Sequence, residues 1–297
     1  MQDKIDILVL NWNYERYLSQ FVGGLANQTY QHFRVLFYDN CSTDNSIQTA
    51  KRLMEDASLN FKIITRSEPH TIPSNLKYLI DNFVTAEWMI TISSDDWLLP
   101  DMVQNRIKYI HGHPAAEFIF TTPVLYYENE NRYENQPSQK GKLSGNIFNE
   151  LLNGNFLSAP GSFIKKNSLI EAGGYDETLA YEDWDMWLRA AKVKKKIDII
   201  DDYQVVYRRH SKSISFQQDM KSYLHVKQTL SKYQSEKATG KTLDRYRFAA
   251  LYYAANRKSA LTISERAGYF KKLFTFHIDY FRLFLKFAWN IATSKYN

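Results

Sequence analysis

Short runs of apolar, β-prone residues alternate with stretches of helical periodicity along the first half of the chain. The runs Ile5–Leu10, Phe33–Tyr38, Phe61–Thr65, Trp88–Ile92 and Phe118–Leu125 are close to continuously apolar, the pattern of strands buried on both faces. Between them, Tyr17–Asn27, Ser46–Asp56 and Ser74–Phe83 read as helices, with Asp44 and Ser74 placed as N-caps of the latter two. Strand–helix–strand alternation predicts an α/β fold with a mainly parallel sheet flanked by helices. Such sheets bind ligands at the carboxyl ends of their strands, so the polar residues that close each run are the first candidates for chemistry. The polar, aperiodic stretch 128–142 predicts a surface loop. Helices follow at Phe148–Leu152, from about Asn167 to the Gly173–Gly174 stop, and around Trp184–Ala191; then comes a last strand, Ile197–Ile200. From Phe216 the pattern is helical to the end. The chain therefore divides into an α/β domain, 1–215, and a helical extension, 216–297.

Composition narrows the class. With 44% of its 297 residues hydrophobic, the chain can bury a sizeable core and is not disordered. One cysteine, Cys41, permits no intramolecular disulfide and argues against secretion. The opening MQDKIDILVLNWN lacks the apolar core and cleavage site of a signal peptide. No uncharged apolar stretch reaches the length of roughly 18 residues that a spanning helix needs. These features predict a cytoplasmic protein, peripheral at most to the inner face of the plasma membrane. The charge is uneven: residues 217–297 hold 15 Lys and Arg against 5 Asp and Glu, and the rest holds 23 against 27. A basic tail on an acidic body suggests an anionic surface as the tail's neighbour.

Four polar constellations follow apolar runs. Asp39-Asn40-Cys41-Ser42-Thr43-Asp44 closes the second strand, where a carboxylate can accept from a nucleobase or a ribose hydroxyl. Asp95-Asp96 follows the fourth strand in Ser93-Ser94-Asp95-Asp96-Trp97. Adjacent carboxylates repel and need either a retained proton or a cation, and oxygen ligands suit Mg²⁺ or Mn²⁺. Glu182-Asp183-Trp184-Asp185 opens a helix, where a carboxylate near tryptophans can act as a base. Arg208-Arg209-His210-Ser211 could clamp a diphosphate or complete a metal's ligands. Taken singly, each is equally a capped turn or a solvated helix end.

Their order along the chain is more telling. Asn11-Trp12-Asn13, D-N-x-S-T-D, D-D-x-x-x-P, G-G-Y-D-E, E-D-x-D-x-x-x-R and Y-R-R-H-S form an ordered series that resembles glycosyltransferase family 2, the inverting family with the GT-A fold, over residues 5–215. The resemblance implies transfer of a sugar from a nucleoside diphosphate to a hydroxyl of a glycan or lipid-linked acceptor, in surface polysaccharide assembly. Trp12 then stacks on the base beside Asn13, and Asp39 and Asn40 bind base and ribose. Asp96 holds Mn²⁺ or Mg²⁺, Asp95 the ribose or the metal's shell, and His210 or Arg208 the diphosphate. Asp183 falls on the catalytic base. The amide at Asn40, where the family has an acid, is similar to members that use dTDP-sugars and to some that use UDP-sugars. Ser93 replaces the first acid of the family's metal motif, and Ser74 a basic residue that precedes Asn75. The segments Tyr126–Gly141 and Phe156–Ser162 are expected on the acceptor side.

In the tail, Lys271, Thr275, Asp279, Arg282, Lys286 and Asn290 recur at helical spacing as one narrow polar stripe. The broad apolar remainder fits either burial, on the α/β domain or a second subunit of a homodimer, or a membrane interface. Nucleic acid is not an expected partner, because no recognition motif accompanies the charge. Two rival readings fit these residues less well. A sugar nucleotidyltransferase would need a Gly-rich basic loop after the first strand, and Asn11–Tyr17 has no glycine. A non-catalytic sugar-nucleotide-binding or scaffold protein would keep Asp39 and Asp95–Asp96 but need no Glu182-Asp183.

Overall fold

The computed structural model describes residues 3–210, 220–256 and 261–294. In chain order the first part runs β1 (Ile5–Asn11), α1 (Leu18–Ala26), β2 (Phe33–Asp39), α2 (Ser46–Asp56), β3 (Phe61–Thr65), α3 (Ile72–Asn82), β4 (Trp88–Ser93), β5 (Trp97–Leu98), α4 (Met102–Gly112) and β6 (Phe118–Thr121). It continues through β7 (Val124–Tyr127), β8 (Arg132–Asn135), α5 (Ile147–Leu152), β9 (Ser162–Lys165), α6 (Lys166–Glu171), α7 (Glu182–Lys192), β10 (Ile197–Ile200) and β11 (Val205–Arg209).

The main sheet has the order β10-β6-β9-β4-β1-β2-β3. Parallel pairing sets Ile5 of β1 against both Phe33 and Trp88. Within β1, Ile7 and Val9 enter the core formed with Phe21, Leu25 and Val35, while Leu8 is buried on the other face. Burial on both faces is why these strands read as unbroken apolar runs. The one charge in β1, Asp6, is fully buried and compensated: Arg34 donates to both of its oxygens at 3.0 Å, and the Thr85 and Ala86 amides donate to Oδ2. β9 runs antiparallel between β4 and β6, with Thr91 opposite Ser162. The loop before β9 thus reaches the carboxyl end of β4. The result is the mainly parallel α/β sheet that the periodicity predicts.

A second sheet, β5-β11-β7-β8, departs from the sequence expectations. The run Phe118–Leu125 is two strands in two sheets, because Pro123 carries no amide hydrogen for a ladder. The stretch read as a loop, 128–142, contains β8, whose residues are all exposed and therefore lack apolar alternation. Helix α3 begins earlier than expected, and its cap is Thr71, whose side chain accepts from the Ser74 amide; Ser74 lies inside the helix. Asp44 acts as anticipated at α2, accepting from the Ser46 amide at 3.0 Å, although the cap position itself is Asn45.

The chain forms two compact units. One comprises residues 1–151 with 155–210, the other 152–154 with 211–297. The second unit contains α8 (Met220–Leu230), α9 (Lys237–Ala255), α10 (Ile263–Lys272) and α11 (Ile278–Ser294) around Tyr223, Leu251, Phe270, Tyr280 and Phe287. Arg266 of α10 is buried and donates through Nε to the Ala254 carbonyl, satisfying an acceptor at the end of α9. Thr262 and Glu265 form a capping box that starts α10. The expected boundary at 215/216, and Ser211 of the basic motif, lie outside the described residues.

Candidate functional site

The carboxyl ends of β1, β2 and β4 are tied together by one side chain that sequence reasoning did not single out. Asn11, almost fully buried at the end of β1, donates through Nδ2 to Asp39 Oδ2 (2.7 Å) and Ser42 Oγ (3.1 Å). Its Oδ1 accepts from the Ser94 hydroxyl at 2.6 Å. Asp39, itself buried, also accepts from the Ser42 amide (2.8 Å) and hydroxyl (2.7 Å). Asn11 thus builds the floor on which the Asp39 and Asp95-Asp96 turns rest. Its signal in the sequence was an amide closing an apolar strand.

Around this floor the expected donor residues have distinct positions. Trp12 is 58% exposed, so its indole face is available for stacking. Asn13 adopts a left-handed backbone (φ 56°) and accepts from the Thr43 amide at 2.7 Å, bracing the turn after β2. Asn40 and His70 exchange two bonds: the Asn40 amide group donates to the His70 carbonyl (3.0 Å), and its carbonyl accepts from the His70 amide (2.9 Å). The Asn40 side chain therefore holds the loop after β3, rather than projecting alone toward a base.

Asp95 and Asp96 turn from β4 into β5. Asp96 is buried and accepts from the Arg208 backbone amide at 2.8 Å. Burial, then the neighbouring Asp95 carboxylate, pushes its pKa well above the usual carboxylate range. Asp95 Oδ2 lies 3.1 Å from Nε2 of the buried His210. The phenol of Tyr14 is pushed up by its burial and by the same two carboxylates. The strand β11, absent from the sequence expectations, supplies Arg208 and leads directly into His210, and pairing of Val206 with Trp97 brings it beside the acidic turn.

Arg208 departs most from expectation. Its guanidinium is buried, 4.2 Å from the Tyr17 ring centre, 4.9 Å from Trp97 and 5.2 Å from Tyr126. Nε donates to the Asp95 carbonyl (2.8 Å), Nη2 to Gln20, and Nη1 lies 3.4 Å from Glu128. With these bonds and three aromatic faces it supports the acidic turn from behind. The Tyr17 hydroxyl donates to Glu128 (2.9 Å), and its pKa is pushed up to about 12 by burial first and Glu128 second.

The third group sits at the start of α7. Asp183 accepts from its neighbour's amide, Trp184 N (2.6 Å), and from the Asn155 side chain (2.9 Å). Its pKa is raised by burial, and that of Glu182 is pushed to about 8 by burial and the Asp183 charge. Burial and mutual repulsion thus hold both carboxyls of the pair above the usual carboxylate range. Arg189 explains why the glycine motif and the acidic motif occur together. It pairs with Asp185 one turn earlier (2.8 Å) and donates to the Ala172 and Gly174 carbonyls, fastening the Gly173–Gly174 turn beneath the helix. Gly173 has φ 97°, a backbone that favours glycine.

A divalent ion fits the chemistry of the acidic turn. Two adjacent carboxylates, one buried and strained toward its protonated form, stand beside an imidazole. Among the described residues no group of three or more His, Cys, Asp or Glu side chains encloses a metal position. Asp95, Asp96 and the neighbouring His210 are the side chains that could contribute to holding such an ion, the rest of its shell being water and phosphate.

The chain resembles known proteins in both sequence and fold. Residues 6–173 match the family model described as glycosyl transferase family 2. An uncharacterized glycosyltransferase of Methanocaldococcus jannaschii is 22% identical over 65% of this chain and 66% of its own length, just under two thirds of that relative. An O-antigen biosynthesis glycosyltransferase of Escherichia coli, WbnJ, is 25% identical over 71% of this chain and 82% of its own. Among solved structures, residues 1–349 of Staphylococcus aureus TarS in complex with UDP-GlcNAc superpose with a TM-score of 0.64 at 15% identity, covering 90% of this chain and 79% of that one. A Pyrobaculum calidifontis mannosyltransferase in complex with GDP-Man and Mn²⁺ gives 0.63 at 14% identity, covering 99% and 86%. The sheet is that of the GT-A fold, and with more than half of its length matched by the family model the chain belongs to glycosyltransferase family 2.

Proposed function

We propose that the chain moves a sugar, with inversion, from a UDP- or dTDP-sugar to a hydroxyl of a glycan or lipid-linked acceptor in surface polysaccharide assembly. The observation that carries this reading is the buried Asp95-Asp96 turn against His210: it lies at the carboxyl end of the central strands, and its charge calls for a cation and its anionic ligand. Asp96, with Asp95 and His210 beside it, would hold Mn²⁺ or Mg²⁺, which when bound neutralises charge on the departing nucleoside diphosphate. The UDP-GlcNAc bound by TarS and the Mn²⁺ in the mannosyltransferase complex support a nucleotide-sugar donor and a metal, and the O-antigen relative supports the polysaccharide setting.

The chain's own residues divide the work as follows. Trp12 stacks on the base; Asp39, set by Asn11 and Ser42, accepts from base or ribose, with Asn13 and Asn40 shaping the loops on either side. Arg208 positions the acidic turn from behind. Asp183, oriented by Asn155, takes the proton of the acceptor hydroxyl as that oxygen attacks the anomeric carbon opposite the leaving group. One base suffices, and no covalent intermediate forms.

Calorimetric titration with UDP, dTDP and GDP, each with and without Mn²⁺, tests the proposal. Metal-dependent binding of a uridine or thymidine diphosphate, lost in Asp96→Ala, is the expected result. Failure of every nucleotide to bind the folded protein would overturn it.

A further inference from the structure

Helix α11 is apolar around most of its circumference, yet its own unit uses only one arc. Tyr280 and Phe287 are buried there, and Leu283 and Ile291 pack on the same core. A second arc, Ile278, Phe281, Leu285 and Trp289, follows helical spacing on the other side and faces solvent, with Leu285 68% and Trp289 69% exposed. Phe276, just before the helix, is 88% exposed. A contiguous apolar ridge of this kind marks an interaction surface. Among the described residues no helix is long and apolar enough to cross a membrane.

The charge beside the ridge selects its partner. At 100° per residue, Arg282 and Lys286 follow Trp289 directly around the helix, and both are exposed. The acid on that stripe, Asp279, is already engaged with Arg282 at 3.2 Å. Residues 217–297 together carry 15 basic and 5 acidic side chains. A second copy docking on this ridge would bring like charges together. An anionic lipid surface complements both features, taking the ridge into the acyl boundary and the cations at the phosphates.

We propose that α11 lies in the plane of an anionic bilayer interface, with Phe276, Leu285 and Trp289 inserted and Arg282 and Lys286 on the headgroups. This goes beyond sugar transfer and does not rest on it. The test is co-sedimentation of the full chain with vesicles of phosphatidylcholine alone and of phosphatidylcholine with phosphatidylglycerol. The expected result is binding about tenfold tighter to the anionic vesicles. Leu285→Glu/Trp289→Glu should lose that binding at least about tenfold with an unchanged circular dichroism spectrum, and Arg282→Glu/Lys286→Glu should lose the preference for anionic lipid. Absence of binding, or equal binding of the unmodified chain to both vesicles, overturns the proposal. So does a dimer, seen by light scattering, that Leu285→Glu/Trp289→Glu dissociates, since the ridge would then be covered by protein.

Discussion

Replacing Asn11 by alanine removes three side-chain bonds at once: to the Asp39 carboxylate, to the Ser42 hydroxyl and from the Ser94 hydroxyl. The bond to an ionised partner is worth about 1.5–3 kcal/mol and each neutral one about 1 kcal/mol, and Asp39 and Ser94 are left buried with an unmet bond. Because Asp39 keeps its two bonds from Ser42, a net loss of about 3 kcal/mol is expected. Urea denaturation followed by tryptophan fluorescence measures it, since Trp12, Trp88, Trp97, Trp184 and Trp187 all lie in the first unit. With a slope of about 2 kcal/mol per molar urea, the midpoint should fall by about 1.5 M. Nucleotide affinity, read by calorimetry, should fall with it because the Asp39 turn loses its anchor. Asn11→Asp separates charge from shape. Its carboxylate would stand 2.7 Å from that of Asp39, so the pair must share a proton and its pKa is raised. A carboxyl with a raised folded pKa costs nothing below its unfolded pKa, and the cost grows as pH rises to the folded value and then stays constant, so the penalty should grow as pH rises from about 4. A midpoint within 0.3 M of the unmodified protein for Asn11→Ala, or a penalty for Asn11→Asp that shrinks as pH rises, would refute the role assigned to this side chain (the 0.3 M margin being about 0.6 kcal/mol at that slope).

Asp183→Asn should lower transfer by about 10²–10⁴ with nucleotide binding intact; equal loss of both would remove Asp183 from the base role. In the unmodified enzyme the rate should rise with pH to a midpoint above the ordinary carboxylate range, because the pKa of Asp183 is raised and only its ionised form accepts a proton; a rate profile that is flat from pH 4 to pH 7 would contradict this. Arg208→Leu should lower the melting stability of the nucleotide-free protein by about 2–4 kcal/mol, through lost bonds and ring contacts. An arginine serving only to clamp diphosphate would leave that stability unchanged. Asp202→Ala strands the fully buried Arg106, whose Nη1 donates to it at 2.6 Å, and should cost about 3–5 kcal/mol by denaturant titration; a loss under 1 kcal/mol would show that Arg106 finds another partner.

What could be read from the sequence followed burial. Strands β1, β2 and β4 lie between two layers, so their mostly apolar runs are plainly visible, whereas β3 at the sheet edge is largely half-buried or exposed. Strand β8 is exposed throughout and carries no such mark, and β5 has only two residues. Helix α4 did have a pattern, Met102, Val103, Arg106, Ile107 and Ile110 all buried, but the arginine disguised its inner face. The acidic turns were visible as chemistry because carboxylates side by side demand an explanation. Their supports were not, since the partners of Asn11, Asn40 and Arg208 lie about 28, 30 and 113 positions away in the chain. The amide of Asn40 looked like a base reader for that reason: nothing local announces His70 as its partner. Motif order identified the family, whereas the assignment of individual side chains needed the fold.

The pairing of β5 with β11 also bears on when the site comes into being. Asp39 finds Asn11 and Ser42 within the first 42 residues, contacts that close short loops. Asp96 waits for the amide of Arg208, 112 positions later, and closure of so long a loop is entropically costlier. A ribosome must have delivered almost the whole of the first unit before the acidic turn has its partner. The Asp39 turn can therefore be assembled on a nascent chain while the Asp95-Asp96 turn still lacks the Arg208 amide that Asp96 accepts from.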